Sequence, residues 1–136
     1  MLPSRAVEVA LGALPHLDPR GPSGRGVLVR DVAAAASLPA PFLAKVLQRL
    51  AFAGLVRSRK GKAGGFVLGR PAREITLEDV VLAVEGREDL SKVYPPGAGS
   101  LGARLAPVRE RLLHLLSSTT LADRAADRAA GSPRPE

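Results

Sequence analysis

The 136-residue chain has no cysteine. That excludes disulfides, thiolate nucleophiles and any all-cysteine zinc or iron–sulfur site, and it fits a reducing compartment. Aromatic residues are scarce as well, with one Tyr, three Phe and no Trp, so little is available to stack on splayed single-stranded bases. No apolar run approaches the roughly 20 residues of a membrane-spanning helix, and the N-terminus lacks the basic, apolar and small-residue succession of a secretory signal. No membrane contact is expected, and the cytoplasm follows by default. Catalytic signatures are missing too: there is no HExxH, no GxSxG and no local His/Asp/Ser constellation, so the chain does not read as an enzyme. Glu85, Glu88 and Asp89 read instead as a helix end and a solvated loop.

The most informative scarcity is local. Between Asp31 and Glu74 the sequence holds no Asp or Glu, yet it carries Lys45, Arg49, Arg57, Arg59, Lys60, Lys62, Arg70 and Arg73. A net charge of +7 spread evenly would mean little. An acid-free window concentrates positive potential on one part of the fold, which suits a polyanion. At this length one domain is expected, with a modest core that a partner copy would enlarge.

Along the chain, Val7, Ala10, Leu11 and Leu14 fall at i, i+3, i+4, i+7 and predict a helix from Arg5 towards Leu17, limited by Pro15. Asp18 to Gly26 is a Pro/Gly loop. Val27 to Val29 read either as a short strand or as the entry to a second helix, Arg30 to Ala36, with Asp31 in its first turn. Ser37-Leu38-Pro39 stops that helix. Pro39 and Pro41 suit the first turn of a third, which runs to Ala53 before Gly54. Two helices joined by so short a turn form a helix-turn-helix.

On the third helix Leu43, Val46, Leu47 and Leu50 share the buried side, while Pro41, Ala44, Lys45, Gln48 and Ala51 share the other. Small side chains there admit close approach to a major groove, where Lys45 and Gln48 reach guanine or adenine edges. Each, taken alone, also reads as an ordinary solvated position. Arg49 on the flank either touches a phosphate or is solvated. Phe52, at the far end, is expected to pack against the start of the next hairpin. That hairpin spans Val56 to Leu68, with Arg57, Arg59, Lys60 and Lys62 before and within a tip whose Gly61, Gly64 and Gly65 allow positive φ and a narrow-groove approach. A nucleotide-binding glycine loop is the rival reading, but neither GxGxxG nor a Walker Lys-Ser/Thr pair is present. The expected fold is mainly α: a winged helix-turn-helix with a two-stranded β wing and a long C-terminal helix. The expected partner is double-stranded DNA, although the same basic face is open to docking an acidic protein.

The ordered run Phe42-Leu43-x-x-Val46-Leu47-x-x-Leu50, Ala53-Gly54-Leu55-Val56, Gly64-Gly65-Phe66-x-Leu68-x-Arg70-Pro71 and Ile75-Thr76-Leu77-x-Asp79-Val80-Val81-x-Ala83-Val84-Glu85-Gly86 resembles the Rrf2 family of bacterial winged-helix regulators, of the IscR, NsrR and CymR type. Thr119 to Asp123 is similar to the family's closing motif. The resemblance implies a homodimer on an inverted-repeat operator, usually a repressor. It also implies where a sensor would sit: cluster-bearing relatives carry three cysteines in the loop after the Glu-Gly pair, and Arg87 to Gly102 carries none. No cofactor and no metal site are therefore expected. Glu8 and His16, near where some relatives find an extra ligand, read as a surface carboxylate and a helix-end imidazole, and His114 as structural. A small-molecule or protein effector is left open, as is whether Tyr94 covers a pocket or anchors the loop.

The residues of the second half agree with that reading. Thr76 and Asp79 form an approximate capping box, Leu77, Val80, Val81 and Val84 a buried stripe, and Gly86 a stop. Leu101, Leu105, Val108, Leu112, Leu115 and Leu116 then make a long apolar stripe interrupted by Pro107. In the family such a helix packs on its partner; the alternative is that it folds back on its own core. The expected organisation is residues 1–86 for DNA, 87–100 at the sensor-loop position, 101–130 for dimerisation, and a disordered tail at 131–136.

Overall fold

The computed structural model describes residues 3–62 and 64–124. Helix α1, Arg5–Ala13, starts where Ser4 accepts a hydrogen bond from the Val7 amide, and it continues into a 3-10 turn, Leu14–His16, that carries Pro15. It buries Val7, Val9, Ala10, Ala13 and Leu14. Val9 escapes the i, i+3, i+4 reading because α1 is packed on more than one side, against the helices at Ala40–Phe52 and Leu77–Glu85. The Ser4 hydroxyl also donates to Glu85 Oε1 at 2.5 Å, tying the start of α1 to the end of the second of these.

Helices α2, Val29–Ala36, and α3, Ala40–Phe52, are joined through Ser37, whose backbone is left-handed at φ 56°. The apolar side of α3 is as read from the sequence: Leu43, Leu47 and Leu50 are fully buried and Val46 nearly so. Strands β1, Val56–Arg59, and β2, Gly65–Leu68, pair antiparallel with Val56 opposite Leu68 and Arg59 opposite Gly65. Both readings of Val27–Val29 prove correct in part, since Val27 bridges to Phe66 while α2 begins at Val29.

Helix α4, Leu77–Glu85, has a complete capping box between Thr76 and Asp79 and ends at Gly86, φ 64°. The segment beyond Gly86 is not the continuous loop expected from its Pro and Gly content. Asp89 caps a short helix α5, Leu90–Val93, and the long helix α6 begins at Gly99 and runs unbroken through Pro107 to Ser118. Pro107 is tolerated because it lies on an exposed side of α6, where the carbonyl it leaves without a donor can be met by water. Tyr94 anchors rather than lids: it is buried, and its carbonyl accepts from Arg109 Nε at 2.8 Å. The closing motif is structural as well. Thr120 bridges to Thr76, the Leu121 amide donates to the Ile75 carbonyl, and Thr120 and Asp123 cap each other's backbone. The expected tail at 131–136 lies outside the described residues, as does the end of the 101–130 segment. Among the described residues no helix is long and apolar enough to cross a membrane.

Candidate nucleic-acid interface

One side of the molecule is built by two pieces of the acid-free window. The outer face of α3 presents Pro41, Lys45, Gln48 and Phe52, all exposed and spaced i, i+4, i+7, i+11 along one row, with Phe42 beside its start. The wing supplies Arg57, Lys60 and Lys62, also exposed. The side chains of Lys45, Gln48, Arg57, Lys60 and Lys62 make no hydrogen bond or ion pair within the described residues and are open to solvent. A charged row with no internal partner is the arrangement that exchanges counterions for phosphates at little cost.

The wing's shape is enforced by backbone contact. Gly65 sits at φ +121°, and a Cβ added there would lie 2.4 Å from the Val27 carbonyl carbon, so only glycine lets the Val27–Phe66 bridge close. Gly61 also takes a positive φ, 99°. Gly64 does not; its restriction is space, a Cβ being 2.5 Å from the Arg59 carbonyl oxygen.

Three sequence expectations are revised by long-range geometry. Arg49 does not simply face outward: its Nη1 donates to the Val84 carbonyl at 2.9 Å, a tie from α3 to α4. Arg59 donates to the carbonyls of Gly24, at 2.7 Å, and Pro22, so it fastens the wing to the preceding loop before it can meet any phosphate. Phe52 does not pack against the hairpin and is 97% exposed, because Leu55 and Val56 already fill the base of the wing. Phe42, exposed beside the start of the α3 row, and Arg25, exposed and lining a cleft with Lys62 of the wing, are additions; periodicity could not supply Arg25, which precedes the helix-turn-helix.

Helix α6 presents a second surface. Leu101, Leu105, Val108 and Leu115 are exposed and Leu112 is half-buried, at alternating spacings of four and three, the seam pattern by which one helix packs on another. Leu116 is a correction: it turns inward and is buried with the chain's own core. The stripe expected from sequence therefore divides: Leu116 is buried in the core, Leu112 packs half-buried against it, and Leu101, Leu105, Val108 and Leu115 are exposed.

Among the described residues no three His, Asp or Glu side chains converge as metal ligands. Glu8 and His114 are exposed, and the Asp89 carboxylate is held below its usual range by capping the Ser91 amide. A donor set without thiolates does not fit an iron–sulfur cluster.

Three comparisons place this arrangement among known proteins. Residues 3–127 match the Rrf2 family, described as an iron-dependent transcriptional regulator. An HTH-type transcriptional regulator of Mycobacterium tuberculosis is 37% identical over 123 residues, covering 84% of this chain and 72% of the relative. The HTH-type transcriptional regulator CymR of Bacillus subtilis is 30% identical over 95 residues, 70% of this chain and 69% of that one. The solved structure of CymR, the global cysteine regulator of B. subtilis, superposes with a TM-score of 0.76 over 93% of this chain and 97% of that chain at 26% identity. IscR of T. potens has the same fold, with a TM-score of 0.76 at 24% identity, over 99% of this chain and 94% of that chain.

Proposed function

The chain belongs to the Rrf2 family of transcriptional regulators, and from that premise we propose that it is a homodimeric repressor that sits on an inverted-repeat operator in a bacterial cytoplasm without an iron–sulfur cluster. The observation that carries the reading is the unpaired row of Lys45 and Gln48 on α3 beside the unpaired cations of the wing. One α3 per half-site enters the major groove, the two copies roughly 10 base pairs apart. Pro41 lets the helix start lie close to the groove edge. Lys45 and Gln48 read base edges, while Arg57, Lys60 and Lys62 meet phosphates or the minor-groove rim, with Gly64 allowing the wing tip to approach closely. Arg49 braces α3 on α4 through the Val84 carbonyl, and Arg59 braces the wing on the preceding loop through the Pro22 and Gly24 carbonyls. Occupancy of a promoter-proximal operator then excludes polymerase.

The dimer follows from α6. Residues 1–86 carry the DNA surface, and the exposed stripe of Leu105, Val108 and Leu115, with Leu112, meets the same stripe of a second copy. Fully burying a Leu or Val side chain contributes about 1.5–3 kcal/mol, and doubling the stripe brings the gross term to the scale of the roughly 4–15 kcal/mol lost on association.

Gln48→Ala tests the reading side chain. It is expected to weaken operator binding by about 1–3 kcal/mol while leaving binding to random duplex and the salt slope unchanged. Anisotropy titrations against both duplexes check it. Equal losses on the two would assign Gln48 to the backbone and contradict base reading.

A further inference from the structure

The loop from Asp18 to Gly26 looks from sequence like a plain connection, but it is one of the most tightly specified segments near the wing. Asp18 accepts hydrogen bonds from the amides of Arg20, at 3.0 Å, and Arg25, at 2.9 Å, and its carboxylate pairs with the Arg20 guanidinium at 2.7 Å. That pairing, with the two amides, holds the Asp18 carboxyl well below the usual carboxylate range. Gly24 closes over it so tightly that an added Cβ would lie 2.6 Å from Asp18 Cγ. From the other side the Arg59 guanidinium holds the carbonyls of Pro22 and Gly24, and Val27 continues as a bridge to Phe66. The loop is therefore fastened to β1 through Arg59 and to β2 through Val27.

That fastening sets the position of Arg25. Its amide is held by Asp18, yet its guanidinium has no partner within the described residues and lines an open cleft with Gly26, Val27, Leu28, Asp31, Lys62 and Gly64. Two cations thus converge on one cleft from independent elements, Arg25 from the loop and Lys62 from the wing tip. Asp31, from the first turn of α2, is the single acid there, so the cleft keeps a net positive charge. Gly26 and Gly64 leave its walls without side-chain bulk.

We infer that this cleft seats one backbone phosphate of the bound duplex, shared by Arg25 and Lys62, and that the Asp18–Arg59 lock exists to hold Arg25 at that seat. The inference rests on the DNA-binding reading and adds a contact from outside the helix-turn-helix and wing. It fixes how far the wing can rotate about the duplex, because loop and wing tip grip the same phosphate.

The test uses the full-length protein and a duplex of arbitrary sequence and roughly 20 base pairs, about two helical turns, titrated at several salt concentrations. Arg25→Gln and Lys62→Ala are each expected to lower affinity, and the double variant to flatten the slope of log K against log salt by about 0.9, the value for one phosphate. Asp31→Asn is expected to tighten binding. Both cations are exposed, so thermal unfolding should match the unsubstituted chain and exclude misfolding. A double variant that loses about 1.8 in slope would assign two separate phosphates, and an Arg25→Gln affinity equal to that of the unsubstituted chain would remove Arg25 from the contact; either overturns the seat while leaving the DNA reading intact. Failure of the unsubstituted protein to bind any duplex at low salt contradicts that reading itself.

Discussion

Val108→Glu is expected to yield a folded monomer that loses operator binding by roughly 10²–10⁴-fold, the advantage that linking two modules confers when both engage. Val108 lies mid-way along α6 between Leu105 and Leu112, and it is 56% exposed in the single chain, so a carboxylate there costs the monomer little. In a two-helix seam the same carboxylate is doubled and taken out of water beside apolar neighbours, which is unfavourable by several kcal/mol. Light scattering would report the mass, and titration on operator and random duplex the affinity. Half-site affinity for random DNA should persist, because the α3 row and the wing are on another side of the molecule. A Val108→Glu protein that remains a dimer would move the interface off α6.

Gly65→Ala is expected to produce the largest effect of any single methyl group in the wing. The residue already occupies φ +121°, where a side chain is strained by about 1–3 kcal/mol, and the new methyl would overlap the Val27 carbonyl, with the Leu28 amide nitrogen only 2.8 Å away. Backbone on both sides leaves no flexible atom to yield. The Val27–Phe66 bridge must open, which leaves the loop that carries Arg25 held to the wing through Arg59 alone. Against the roughly 5–15 kcal/mol that holds a small domain together, such a loss should lower the unfolding midpoint clearly. Amide exchange at Phe66 and Val27 should accelerate more than at the Leu47 core. Retained protection at both sites with unchanged stability would contradict the role assigned to Gly65.

These effects divide along the line between what was legible in the sequence and what was not. The buried side of α3 could be read because Leu43, Val46, Leu47 and Leu50 repeat at helical spacing, and α4 because Thr76, Asp79 and Gly86 mark its ends. The exposed row of Lys45 and Gln48 comes from the same periodicity. Arg49 and Arg59 were not legible: each binds a carbonyl 35 residues away, and no local pattern encodes such a partner. Phe52 was misplaced because the sequence does not say that Leu55 and Val56 fill the hairpin base first. Helix α5 has four residues, too few for periodicity to register. Leu116 looked like part of one stripe because an apolar helix can face two neighbours, its own core and a partner, and only the packing of α6 on α4 separates them. The segment at 18–26 shows in sequence only as a Pro/Gly loop, which is the composition that a tightly turned, Asp-centred lock also requires.

The central claim, a dimer that reads a two-fold symmetric site, is tested most directly by selecting bound duplexes from a random library at near-physiological salt while the mass of the complex is measured in the same sample. The account predicts enrichment of an inverted repeat with half-sites about one helical turn apart, bound by two chains. Charge-driven binding of every sequence alike, with no enriched motif, would contradict it and favour the docking of an acidic protein partner on the same basic face.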